Sequence, residues 1–242
     1  MRLVVFHTND FHNRLTPEKA RRIKEYREAI ADSLLVDAGD AIGAGNLTSR
    51  RREPCLELMN SLHYTAMVMG NRESHPTHRV LATKLRGVHF PVLASNLMTK
   101  RGKTPAMVRD SLTVSANGVT IGLLGLAPEV TRPDSWWARF TDFIFDDPIK
   151  TATGLVKKLR GQCAVVICLS HLGLAKDREL AERVPGIDLI VGGHSHVELH
   201  EPERVGRTTI VSTGAYARWL GKVEVDLRDG KVGTIRGELL AL

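Results

Sequence analysis

Aromatic residues are scarce in this chain, at 5% of 242 residues, and no basic stretch is interleaved with them. That argues against the stacking platforms on which nucleic acid strands are held, although 34 Lys plus Arg against 27 Asp plus Glu leave a formal charge of +7. The basic side chains are scattered over helices and turns, and only Arg50-Arg51-Arg52 forms a run. It reads as a solvated loop or, functionally, as a patch steering anionic substrates; no nucleic acid polymer is expected as a partner. Cysteine is equally sparse. Cys55, Cys163 and Cys168 are odd in number and lack metal spacing, so they read as buried thiols in a reducing compartment. No apolar run approaches membrane-spanning length, and Leu3-Val4-Val5-Phe6 is too short for a secretory h-region. The expectation is a cytoplasmic protein with no membrane contact, unless a leader has been removed. No linker, repeat or low-complexity stretch divides the chain, so residues 1–242 are read as a single domain; its oligomeric state is left open.

What the chain does contain is a series of five short polar motifs, each where an apolar run gives out: Thr8-Asn9-Asp10-Phe11-His12, Asp37-Ala38-Gly39-Asp40, Gly70-Asn71-Arg72-Glu73, Ser170-His171-Leu172-Gly173 and Gly192-Gly193-His194-Ser195-His196. Carboxylate, imidazole and one amide oxygen, without thiolate, are the donors suited to a pair of divalent transition metals such as Mn, Zn or Fe. Asp10 and His12 stand at i and i+2, so an extended loop would point both to one side and grip one ion. His194 and His196 repeat that spacing, and the two preceding glycines let the backbone approach a neighbouring loop or ligand. Asp40, with two carboxylate oxygens on a Gly-Asp turn, suits a bridge between cations, while Asn71 and His171 would serve the second ion. Two carboxylates and one bridging hydroxide leave such a cluster roughly one positive charge, which draws phosphate esters.

Continuous, partly β-branched runs at 3–7, 34–37, 66–69, 92–95, 165–169 and 189–191 read as buried strands. Thr16 before Pro17 caps a helix expected over 17–31, and Pro54 and Pro148 open two more, over 54–62 and 148–159. Alternating strands and helices indicate an α/β fold with ligands gathered outside the carboxyl ends of strands. Asn117-Gly118 and Asp229-Gly230 signal antiparallel hairpins.

These motifs resemble the calcineurin-like metallophosphoesterases, and within them the catalytic domain of the 5′-nucleotidase type. The likeness extends to Phe90-Pro91-Val92-Leu93-Ala94-Ser95-Asn96-Leu97, to Asp147-Pro148-Ile149, to 185–191, and to Gly214-Ala215-Tyr216 and Trp219-Leu220-Gly221 as closing strands. The resemblance implies a four-layer α/β/β/α sandwich of two mixed sheets. It implies one ion held by Asp10, His12, Asp40 and His196, and another by Asp40, Asn71, His171 and His194. The substrate would be a small phosphorylated compound, a phosphomonoester or small phosphodiester with nucleotides among the candidates, hydrolysed by a metal-bridging hydroxide.

Two departures from the family bear on chemistry. The family places histidine after the asparagine and aspartate three residues further on; here Arg72 and His75 stand there. Arginine stays protonated near neutral pH and so cannot donate a proton to the leaving group, but it can neutralise phosphoryl charge. Arg72 and Asn71 are therefore candidate substrate contacts, and His75 a candidate proton donor. A catalytically weakened relative that binds a phosphorylated ligand or partner protein is the alternative. Only 46 residues follow His196, so the family's base-stacking domain is not expected, and Trp136-Trp137 could stack on substrate or merely pack on a sheet edge. Glu73 and Asp37 are read as groups orienting the ligands; His7, His63, His78, His89 and His200 are read as structural.

Overall fold

The computed structural model describes residues 1–50, 52–228 and 230–242; Arg51 of the basic run and Asp229 of the second hairpin signal lie outside the described residues. Two six-stranded mixed sheets face each other. The first runs, in spatial order, β14 (Lys231–Ala241), β13 (Trp219–Arg228), β1 (Arg2–Thr8), β2 (Leu34–Asp37), β3 (Ala66–Val68) and β4 (Val92–Leu93). Its β1 to β4 are mutually parallel, while β13 is antiparallel to both β1 and β14. The second sheet runs β11 (Glu203–Val205), β12 (Thr208–Val211), β10 (Leu189–Gly192), β9 (Val165–Ser170), β7 (Val119–Leu126) and β6 (Ser111–Ala116). A small antiparallel pair, β5 (Leu97–Thr99) with β8 (Phe143–Phe145), stands apart.

Alternation of side chains along each strand explains the layers. In β1, Leu3 and Val5 enter the core between the sheets, with Val36 of β2 and Val165, Ile167 and Leu169 of β9. Val4 and Phe6 point the other way, under α1 (Pro17–Glu28), α2 (Pro54–Ser61) and α3 (His78–Lys84). Val166 and Cys168 of β9 likewise turn outward, beneath α4 (Pro148–Arg160) and α5 (Leu174–Arg183). Both faces of the central strands are covered, which is why they read as unbroken apolar runs. The result is the four-layer α/β/β/α sandwich. The three cysteines are buried and free.

Several boundaries shift from the sequence reading. The first helix ends at Glu28 rather than 31, because Ala29 and Ile30 close back on Glu25 and Arg27 and Asp32 takes a left-handed φ of 53° that turns the chain into β2. The third strand stops at Val68. The run 92–95 pairs only to Leu93, since Ser95 leaves the first sheet to bond Gly125 of the second through both its amide and its hydroxyl. Asn117 and Gly118 have φ of 48° and 71°, the left-handed pair that a tight hairpin needs. Gly214-Ala215-Tyr216 forms a turn, not a strand; Trp219-Leu220-Gly221 does open β13.

Candidate metal centre

Five strands of the two sheets end at one edge, and their following loops carry the seven candidate ligands. Asp10 and His12 follow β1, Asp40 follows β2, Asn71 follows β3, His171 follows β9, and His194 and His196 follow β10. The first two loops lie side by side, with the amides of Asp10, His12 and Asn13 bonding the carbonyls of Gly39, Asp40 and Ala41 at 2.8–3.0 Å. These loops are not extended. Asp10, His12, Asp40, His194 and His196 all have φ between 48° and 72°, a left-handed conformation costing roughly 1–2 kcal/mol each. Asp10 and His12 therefore reach a common point through left-handed turns after the strand, not through the same-side placement of i and i+2 in an extended loop. Gly193 fits because a Cβ there would stand 2.6 Å from the Ala38 carbonyl and 3.1 Å from Asp10 Oδ2, the close approach expected of that glycine pair.

The donors gather in two groups. In one, Asp10 Oδ1 lies 3.5 Å from His12 Nε2 and 3.2 Å from His196 Nε2, and the two ring nitrogens are 3.0 Å apart. In the other, Asn71 Oδ1 is 3.2 Å from His171 Nε2 and 3.0 Å from His194 Nδ1, and His171 Nε2 is 3.4 Å from Asp40 Oδ1. His194 and His196 therefore face different groups rather than gripping one ion together. Asp10, Asp40 and His171 also offer donor atoms within 4.8 Å of one another, which joins the groups.

The donors fit divalent ions. Ligands about 2.1 Å from one cation stand roughly 3 Å apart, close to the spacings here. Asp10 Oδ1 is buried without a hydrogen-bond partner, a costly state unless a cation satisfies it. Although burial opposes its charge, the hydrogen bond and charge of Asp40, with help from Asp10, raise His171 to about 9. The field at this edge is thus one that attracts positive charge.

Surrounding groups fix the donors. Asp10 Oδ2 accepts from Asn9 Nδ2 and the His194 amide, both at 2.9 Å. His171 Nδ1 donates to the Ala38 carbonyl at 2.6 Å, leaving Nε2 for the centre. Glu73 accepts from the amides of Asp40 and Gly70 at 2.9 Å and of Ile42 at 3.2 Å, and Asp37 accepts from Gly39 N and Thr8 Oγ1. Both carboxylates hold ligand-bearing backbone rather than an imidazole. Burial raises the pKa of each, with the Asp40 charge adding to the effect at Glu73.

Arg72 binds Asp40 twice, through its amide to Oδ1 at 2.7 Å and through Nε, 3.7 Å from Oδ2. Its Nη1 donates to the Gly43 carbonyl at 3.3 Å, and Arg50 also lies over Gly43. The described ends of the basic run therefore differ: Arg50 lies beside Gly43, whereas Arg52 pairs with Glu57 at 2.9 Å. His75 Nδ1 accepts from the amide of Thr77 at 3.0 Å, and burial with the Lys84 charge lowers its pKa. Among the described residues no hydrogen bond links His75 to the ligands. Trp136 and Trp137 do not pack on a sheet edge. They stack at 4.8 Å with Phe140 edge-on, and the three are 67%, 55% and 62% exposed. Their segment leaves the end of β7, where the Leu126 carbonyl accepts from His171 N, and returns at Asp142, whose amide bonds the Pro76 carbonyl at 2.8 Å. The sequence reading placed Tyr216 only in a closing strand and missed its position at this centre, where its ring lies 5.4 and 5.5 Å from those of His12 and His196. His7, buried between the sheets and lowered to about 3 by that burial, belongs to neither group.

Known proteins resemble this chain over nearly its whole length. A trifunctional nucleotide phosphoesterase, YfkN of Bacillus subtilis, is 29% identical over 282 residues, covering 99% of this chain and 19% of that protein. The 5′-nucleotidase of Bos taurus is 27% identical over 288 residues, covering 99% of this chain and 49% of its own length. The crystal structure of a 5′-nucleotidase precursor from Thermus thermophilus superposes with a TM-score of 0.83 at 26% identity, over 100% of this chain and 55% of that one. The chain spans about half the length, or less, of these relatives. Residues 3–198 match the calcineurin-like phosphoesterase family, and with the fold and the clustered donors in place the chain belongs to that family.

Proposed function

We propose that this chain is a metal-dependent phosphoesterase that hydrolyses small phosphorylated substrates, nucleotides among them, at a dinuclear centre. The observation that carries this is the convergence of two donor groups joined through Asp10, Asp40 and His171. Asp10, His12 and His196 would hold one ion, Asn71, His171 and His194 the other, and Asp40 would bridge. Manganese, zinc and iron all suit such donors. When bound, the ions supply Lewis acidity, activating water and polarising phosphoryl oxygens.

The remaining work belongs to side chains. The Arg72 guanidinium, beside Asp40, would take up charge on phosphoryl oxygens by paired hydrogen bonds, and Arg50, beside Gly43, would add positive potential. Asn71 would contact substrate from the same loop. A proton for the leaving oxygen would have to come from His75 after its loop moves, or from solvent. Trp136, in the exposed aromatic platform, supports stacking against an aromatic leaving group such as a nucleobase.

Phosphate release from p-nitrophenyl phosphate and from nucleoside monophosphates, with protein loaded with manganese or zinc, tests the proposal. Turnover that disappears on chelation and in Asp40→Asn is expected. A loaded, folded protein with two ions and no turnover on any phosphoester would overturn it in favour of a binding role.

A further inference from the structure

The Asn71 amide presents one end to the metal centre, and the choice of end is made by residues outside it. Lys84, the last residue of α3, is 3% exposed. Among the described residues it makes no ion pair with a carboxylate. Its ammonium instead donates to backbone carbonyls, those of Gly45, Arg72 and Ser74 at 2.8, 2.6 and 2.9 Å and of Asn46 at 3.2 Å. Three protons are shared among four carbonyls, much as a small cation would be caged. The cage joins the loops that follow two neighbouring strands of the first sheet: residues 45–46, after β2, and residues 72–74, in the turn after β3 that carries Asn71. The Asn46 side chain completes the connection, its Oδ1 accepting from Asn71 Nδ2 at 3.1 Å. That bond leaves Asn71 Oδ1 toward His171 and His194. An amide turned over would offer its NH₂ protons to a cation, and only the oxygen end ligates.

We propose that Lys84 and Asn46 are positioning residues for one half of the centre: Lys84 clamps the two loops, and Asn46 fixes the Asn71 amide with its oxygen inward. The inference rests on the dinuclear reading above. Its signature is selectivity, because neither residue touches the group formed by Asp10, His12 and His196. Groups that orient ligands typically contribute 10- to 100-fold in metal affinity.

Titration with manganese alone, followed by calorimetry, tests the relay. Wild type is expected to take up two ions. Asn46→Ala, in an exposed loop, should weaken one of them by about tenfold or more, leaving the other affinity and the unfolding midpoint unchanged. Lys84→Ala is measured with and without propylammonium, which can refill the cage; return of the weakened ion with the amine, and not with sodium, is expected. Unchanged affinities in Asn46→Ala, equal weakening of both ions alongside a lowered midpoint, or no rescue of Lys84→Ala would each overturn the relay while leaving the two-ion reading intact. Fewer than two ions on wild type would overturn both.

Discussion

At the scale of single residues, Arg72 sets the expected selectivity. A guanidinium next to Asp40 can stabilise charge but cannot protonate a departing alkoxide, and a positioned acid is typically worth about 10² to 10⁴ in rate. Aryl phosphates should therefore be cleaved faster than alkyl phosphates by a factor in that range, and Arg72→His should narrow the gap. Equal rates on both substrates in wild type would mean that another group supplies the proton. His12 allows a second test at this scale. Its φ of 48° is strained for any residue with a Cβ. His12→Gly and His12→Ala remove the same imidazole, yet the glycine variant should be more stable by about 1 kcal/mol in urea unfolding; identical midpoints would show the loop to be unstrained. That these seven side chains would gather was legible in the sequence, because metal chemistry restricts the residue types that recur at such positions. Their left-handed backbone was not, since Asp and His tolerate that conformation without a glycine to announce it. The places of Tyr216 and Lys84 beside the centre were not legible for a different reason, as each arrives there through contacts distant in sequence rather than a local pattern.

At the scale of elements, legibility followed burial. Strands β1, β2, β9 and β10 are covered on both faces and stood out as apolar runs, whereas the short β5, β8 and β11 are only partly buried and left no such trace. The hairpin at Asn117-Gly118 was readable because its turn demands those residue types. Helix α5 contains a further consequence. Its Asp177 is buried against the Ser170 hydroxyl at the end of β9, and burial, only partly offset by that hydrogen bond, lifts its pKa from 3.8 to about 7. The folded protein thus holds a proton that the unfolded chain releases between those values. Stability from this group is complete below pH 3.8 and falls as pH rises toward about 7, by up to roughly 1.4 kcal/mol per pH unit. Asp177→Asn should remove that decline, so the variant gains on wild type between about pH 4.5 and 7 in denaturant titrations. A constant difference across that range would place the carboxyl in its charged form throughout.

At the scale of the whole molecule, each donor group draws on both sheets: Asp10 and His12 from the first meet His196 from the second, and Asp40 and Asn71 meet His171 and His194. Ions held there would tie the sheets along one seam. We expect manganese to raise the unfolding temperature, with ions at 100 times their dissociation constant adding about 2.7 kcal/mol per site. We read the 242 residues as one cooperative unit, so calorimetry should show a single transition; two separable transitions would divide the sheets into independent bodies. The aromatic platform has an optical consequence. Two of the three tryptophans sit in the exposed stacked pair, and Trp219 lies edge-on to His200 at 5.4 Å. Trp136 and Trp137 should accordingly emit as solvent-exposed indoles in the folded protein, so that a change in this red-shifted emission reports whatever comes to rest on the stacked pair.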